Sequence, residues 1–251
     1  MEQREGRPVR IDVLGVGFDN VTLEEAADQA MEFFREPGPH VVVTPNPEIV
    51  EACRTRRSVR RAVNGASLVL PDGVGVILGA SILGTPLKER TPGVEFAALL
   101  CERMAREGRS LYLLGAKPGV AEQAGENLTE QYPGLQIAGT HDGYFTDDDA
   151  VAEAVRESGA DAAFVCLGAP KQELWMAAHG ADTGARVLCG LGGCLDIFAG
   201  TAVRAPKFFC DHGLEWFYRL CKEPRRFGRM LKLPLFLIHV LGEKLRKRGS
   251  A

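Results

Sequence analysis

Short apolar runs rich in β-branched residues recur along the chain, and each is followed within a few residues by a stretch of helical periodicity. His40–Thr44 (HVVVT) reads as a strand leading into a helix from about Pro47 to Arg57. Ser67–Leu70 (SLVL) reads as a strand, followed by a PDG turn and a helix. Ser110–Leu114 leads through GAKPG into a helix starting near Val120, and Asp161–Leu167 leads through GAPK into QELWMAAH. Arg186–Cys189 leads through GLGG into CLDIFAG, and a further strand, Ile11–Val16, is expected at the start of the chain. Repeated strand–loop–helix units predict an α/β fold, a Rossmann-like parallel sheet with helices on both faces. Near Asp211 the pattern changes to short amphipathic helices broken at Pro224 and Pro234, with no further strand. The expected organisation is an α/β domain over residues 1–210 and a helical C-terminal appendage over residues 211–251.

Composition narrows the class. With 251 residues, 45% of them hydrophobic, the chain can bury a sizeable core, and its 25% of charged residues argues against global disorder. The start, MEQREGRPVR, has no apolar core of a secretory signal, so none is expected. The longest uncharged apolar stretch, Gly73–Leu87, is Gly-rich and shorter than the roughly 20 residues a membrane-spanning helix needs, and no transmembrane span is expected. The seven cysteines (53, 101, 166, 189, 194, 210 and 221) include no CxxC pair and read as reduced, mostly buried thiols. The five histidines form no HExxH-type pattern, so no metal is expected.

The distribution of charge says more than its total. Between Arg219 and Arg248 there are ten basic and two acidic residues, a net +8, whereas the whole chain carries −3 and the remainder therefore −11. An acidic body with a basic tail needs a reason.

In a parallel α/β sheet, ligands bind outside the carboxyl ends of the strands. Polar and Gly-rich residues fall at those ends repeatedly: Thr44 and Asn46, Asp72 and Gly73, Gly115, Gly168 to Gln172 with Lys171 between them, and Gly190 to Gly193. GAKPGV and GAPKQE open helices whose free amides favour a phosphate, and they are equally compatible with ordinary turns. Asp72 is either a turn former or a carboxylate placed to act as a general base. Arg90, in KERTPG, is either a solvated loop charge or a clamp for a diphosphate.

Five segments resemble the bacterial WecG/TagA/CpsF glycosyltransferases: TPNPEIV (44–50), LPDGVGV with GTPLKERTPGVEF (70–76 and 84–96), LYLLGAKPGVAEQA (111–124), VCLGAPKQELWM (165–176) and the long run from Gly190 to Phe227. The resemblance runs in consistent order from about residue 10 to 235. It implies a catalytic α/β domain that moves a sugar, N-acetylmannosamine or a related hexose derivative, from a UDP donor to an undecaprenyl-diphosphate-linked sugar with inversion. The products would be teichoic acid, common antigen or exopolysaccharide. On this resemblance Asp72 is the base and Arg90 steadies the leaving diphosphate. Thr44 and Asn46 contact the substrate site, Gln172 lines it, and Arg225 and Arg226 belong to an appendage that meets the membrane and closes over it.

Inverting transfer is a single in-line displacement. Cations and helix termini can hold the charge that grows on the departing diphosphate, so no cofactor is expected. The basic tail then suits an anionic membrane surface, with Leu231, Leu233, Leu235, Phe236 and Leu237 lying in the interface. A tail packed on the body, or one that binds nucleic acid, is the other reading. With few aromatics for base stacking and no nucleic-acid fold before it, nucleic acid is not the expected partner. The expected setting is cytoplasmic, peripheral at the inner face of the cell membrane, with a homo-oligomer compatible with the pattern. A non-catalytic nucleotide-sugar scaffold at the membrane is the competing reading, and an NAD(P) oxidoreductase is disfavoured because no GxGxxG follows a strand.

Overall fold

The computed structural model describes residues 8–203, 205–206, 208–209, 218 and 232–249. Arg225 and Arg226, expected at the substrate site, lie outside the described residues, as do Pro224, Leu231, Cys210 and Cys221.

The chain opens with a hairpin rather than the single expected strand. β1 (Arg10–Val13) and β2 (Val16–Asp19) pair antiparallel in a sheet of their own. Leu14 and Gly15 turn the chain with φ of 55° and 86°, the paired left-handed conformation of a tight hairpin. Leu14 hides this turn in the sequence, because a leucine rarely takes that conformation. Asp19 fastens the hairpin to the body: its buried carboxylate accepts from Val69 N at 2.7 Å and from Arg10 Nε at 3.1 Å.

The rest alternates as the pattern predicts. In order come α1 (Leu23–Phe33), β3 (His40–Val43), α2 (Pro47–Thr55), α3 (Arg57–Gly65), β4 (Leu68–Val69), α4 (Val74–Leu83) and α5 (Gly93–Arg106). They are followed by β5 (Ser110–Gly115), α6 (Val120–Gln131), β6 (Gln136–His141), α7 (Asp148–Glu157), β7 (Ala162–Cys166), α8 (Lys171–His179), β8 (Val187–Gly190) and α9 (Cys194–Phe198). The helix expected from Pro47 to Arg57 is divided, because Arg56 is extended (φ −122°, ψ 105°) and turns α3 so that Val59 and Val63 reach the core.

β3 to β8 form one parallel sheet in the order β4-β3-β8-β7-β5-β6. Successive strand residues serve opposite cores. Val42, Leu68, Leu111, Phe164 and Val187 pack with α1, α5, α6 and α9, while Val43, Val69, Leu114, Val165 and Leu188 pack with α2, α3, α4, α7 and α8. The sheet is therefore covered on both faces, as a parallel sheet must be.

The last described helix, α10 (Lys232–Gly249), packs on α4 and α2. Pro234 does not break it, since a proline in the first turn forfeits no intrahelical bond. Phe236 and Val240 are fully buried in the same core as Ile49 and Val76. The approach needs small residues on α4: a Cβ at Gly79 would stand 2.8 Å from Phe236 Cζ, and one at Gly75 would stand 2.6 Å from Leu233 Cδ1. His239 Nδ1 lies 2.9 Å from Oε1 of Glu51, a nearly buried carboxylate on α2. Of the apolar residues expected at an interface, Phe236 is thus spent on packing, and Leu233 and Leu237 are partly buried, Leu233 against Gly75 and Leu237 against the same core. The outward row of α10 is Leu235, Ile238, Leu241 and Leu245.

Candidate functional site

The loops after β3, β4 and β8 meet at the carboxyl edge of the sheet, where the centre strands β3 and β8 send their helices to opposite faces. Thr44, buried at the end of β3, donates its hydroxyl proton to Gly190 O at 3.1 Å. Asp72 N donates to Pro45 O at 3.4 Å, which lays the PDG turn against the TPN segment. Thr91 N donates to Pro71 O at 2.9 Å and Thr91 is fully buried, so the loop carrying Arg90 is pinned to the same turn. Gly93 completes the junction: a Cβ there would come within 3.2 Å of Thr44 Oγ1.

These contacts bring Thr44, Asn46, Asp72, Gly73 and the Arg90 loop together. Asp72 and Arg90 are both half-buried. Gly73, at φ 89°, lets the chain turn from Asp72 directly into α4, and a Cβ there would lie 3.8 Å from Asn46 Cβ. Asn46 also has a local duty: its side chain accepts from Ile49 N at 3.1 Å and caps α2.

Gln172 joins from α8. It is 2% exposed, its Oε1 accepts from Gly192 N at 3.0 Å, and its Nε2 donates to Glu173 Oε1 at 3.0 Å. Its amide shapes the β8–α9 loop. Glu173 is also 2% exposed, and its second oxygen has no hydrogen-bond partner among the described residues. Burial raises its carboxyl pKa, opposed by backbone and Gln172 hydrogen bonds.

Gly115, Gly168 and Lys171 form the adjoining stretch of the edge. A Cβ at Gly115 (φ 131°) would fall 2.3 Å from Cys166 O, so only glycine allows β5 and β7 to end side by side. Gly168 O accepts from Gln172 N at 3.0 Å. Lys171 Nζ donates to Gly143 O at 3.3 Å and sits 4.3 Å from the Phe145 ring centroid, so this cation ties down the loop after β6.

α4, α6 and α8 all begin at this edge, and their first amides have no intrahelical acceptor. The arrangement places a carboxylate, a guanidinium and three helix N-termini on the rim of one sheet, which suits a phosphorylated ligand and a proton acceptor. Among the described residues no group of three His, Cys, Asp or Glu side chains is placed to hold a metal ion. Cys53, Cys101, Cys166, Cys189 and Cys194 are buried thiols outside any disulfide; desolvation pushes Cys53 and Cys166 up to about 12 and raises Cys101 and Cys189 as well. The sequence reading missed Thr91, Gly93 and Glu173. The signal that could have found them is adjacency: Thr91 and Gly93 follow Arg90 in RTPG, and Glu173 follows Gln172 in KQE.

The chain matches the description "Glycosyl transferase WecG/TagA/CpsF family" over residues 11–250. It is similar to the N-acetylglucosaminyldiphosphoundecaprenol N-acetyl-beta-D-mannosaminyltransferase of Staphylococcus aureus strain MW2, with 32% identity over 244 residues and 96% of each chain covered. The protein of the same name from strain MRSA252 gives the same identity and coverage.

Proposed function

The chain belongs to the WecG/TagA/CpsF family of glycosyltransferases, and from that premise we propose that it moves N-acetylmannosamine, or a related hexose derivative, from a UDP donor to an undecaprenyl-diphosphate-linked sugar. The activity for which the staphylococcal relatives are named supports the acceptor class. The observation that carries the reading is the convergence of Asp72, Thr44, Asn46, the Arg90 loop and Gln172 at one edge of the sheet.

The reaction is an inverting displacement. The acceptor hydroxyl oxygen forms a bond to the anomeric carbon, the bond from that carbon to the β-phosphate oxygen breaks, and the electron pair leaves with UDP. Asp72 takes the acceptor proton, a role that general bases typically fill with a gain of about 10²–10⁴ in rate. Arg90 and the amides at the start of α4 and α8 meet the negative charge growing on the diphosphate, where a fixed dipole favours the transition state over the ground state. The Gly73 turn keeps base and helix terminus adjacent.

The product enters a cell-surface polymer such as teichoic acid, and the enzyme works peripherally at the inner face of the membrane. No helix among the described residues is long and apolar enough to cross a membrane, and the basic C-terminal segment supplies the attraction. The test is to incubate the protein with a panel of UDP-sugars and a short-chain lipid-diphosphate acceptor and to weigh the product. A mass gain of one sugar, dependent on Asp72, supports transfer. UDP-sugar binding with no product in any combination supports a scaffold and defeats this reading.

A further inference from the structure

Between Glu51 and Asp72 the chain holds five arginines and no acidic residue. Arg54 lies at the end of α2, Arg56 joins it to α3, and Arg57, Arg60 and Arg61 belong to α3; all five are exposed. Val59 and Val63 on the same helix are fully buried, which fixes the arginine face outward. Arg54 has Glu51 at 3.9 Å, whereas the side chains of Arg56, Arg57, Arg60 and Arg61 make no ion pair among the described residues. Other exposed arginines of the body behave differently: Arg35, Arg106 and Arg156 each pair with a glutamate on their own helix or just beyond it. Because everything outside the basic tail sums to −11, an unneutralised cationic stretch is not a by-product of general basicity. Arg57, Arg60 and Arg61, with Asn64 and Gly65, line an open depression of about 490 Å³.

This face continues into α10. Glu51 contacts both Arg54 and His239, and Glu243 on α10 is held below the usual carboxylate range by Arg246 first, with Lys247 and Arg54 adding to it. Beside that junction α10 turns Ile238, Leu241 and Leu245 outward, at 63%, 50% and 68% exposure, together with Lys244, Arg246 and Lys247. Cations next to an exposed aliphatic row fit a lipid interface, with headgroup charge above apolar chains. Nucleic acid would use aromatic platforms, and the segment from Glu51 to Asp72 has no aromatic residue.

We propose that α3 is a second lipid contact, carried by the body itself, whose arginines bind anionic phospholipid headgroups while the outward row of α10 enters the interface. The proposal deepens the membrane-surface reading given above, and vesicle binding tests it independently of turnover. An acidic body is thereby drawn to an anionic leaflet by one local face instead of being repelled as a whole.

The experiment is cosedimentation of the full-length protein with vesicles of phosphatidylcholine alone and of phosphatidylcholine mixed with phosphatidylglycerol. Three variants accompany it: R57Q/R60Q/R61Q, I238S/L245S, and the charge-matched control R35Q/R106Q/R156Q. A basic side chain near an anionic leaflet contributes roughly a fivefold gain in binding, so the α3 triple variant should lose about ten- to a hundredfold on phosphatidylglycerol vesicles. The control should lose much less. The binding that survives high salt should fall in I238S/L245S, because apolar burial is not screened. Sugar transfer to a short-prenyl acceptor without vesicles should be unchanged in the α3 variant. Equal vesicle binding by the α3 variant and wild type overturns the proposal, and so does an equal loss in the control. A tighter, α3-dependent grip on heparin or DNA than on vesicles overturns it too. A wild-type protein that binds vesicles through α3 yet transfers no sugar would defeat the transferase reading and leave this one standing.

Discussion

Gln172 and Gly192 are joined by a 3.0 Å hydrogen bond from the glycine amide to the side-chain oxygen, and that bond, together with Glu173 accepting from the other end of the same amide, fixes the orientation of Gln172. Turning the amide over would set its NH₂ against the Gly192 N–H. Glu173 is held in this role at some expense, because burial raises its carboxyl pKa above the ordinary 4.5. The folded protein therefore keeps a proton that the unfolded chain releases, and stability falls as pH rises through that interval. Glu173→Gln keeps the acceptor for Gln172 and removes the titration. Urea denaturation should show the variant gaining on wild type as pH rises above 4.5, with the difference closing in acid. A difference independent of pH would mean that Glu173 is charged in the fold.

Asp72→Asn should lower turnover by about 10²–10⁴ while UDP binding by calorimetry stays close to wild type. The amide keeps the shape of the PDG turn but cannot take the acceptor proton. Turnover above half of wild type would remove Asp72 from the chemistry.

Arg90→Ala should weaken UDP binding and lower turnover together, with the larger effect on turnover, because the charge it meets is greatest in the transition state. Thr91 remains pinned to Pro71 O, so the loop should keep its place. Unchanged steady-state kinetics would make Arg90 a solvated loop charge.

The buried thiols give a prediction in alkali. Cys53 and Cys166 are shifted from 9.0 to about 12 by desolvation, so the folded state holds protons that unfolded thiols lose near 9.0. Their contribution to stability is complete below pH 9.0 and declines as pH rises toward about 12. Native protein treated with iodoacetamide at mildly alkaline pH should show no alkylation at Cys53, Cys101, Cys166, Cys189 or Cys194 by peptide mass spectrometry. Fast labelling of any of them would reveal local opening.

Phe236→Ala should cost about 3–5 kcal/mol in urea denaturation, the usual loss for a fully buried phenylalanine. Gly79, which the Phe236 ring faces, would be left beside a void. For the same reason, deleting the chain from Asp211 onward removes part of the core as well as the basic tail. Surface substitutions on α10 therefore separate membrane binding from folding more cleanly than truncation does.

Some of this was legible in the residue pattern and some was not, for identifiable reasons. β3, β5, β7 and β8 show as dense apolar runs because both faces of those strands are buried. β6 did not stand out: it is an edge strand whose residues are half-exposed, so QIAGTH carries no apolar signature. The meeting of Thr44, Asn46, Asp72 and Gly73 follows from the rule that loops after parallel strands share an edge. What Gln172 and Lys171 touch does not follow, since Gly192 and Phe145 reach them only through the fold. The arginine face of α3 was averaged away when charge was counted over the whole body.

The hydrogen bond from Thr44 to Gly190 spans 146 residues of chain, and the strands it joins lie in the middle of the sheet. During synthesis β3 emerges early, and its inner neighbour β8 is made only after β4, β5, β6 and β7. Until then His40–Val43 presents an unpaired backbone edge flanked by valines, the kind of surface that recruits other strands. A nascent or prematurely stopped chain ending before Val187 is thus exposed to aggregation as well as lacking a site.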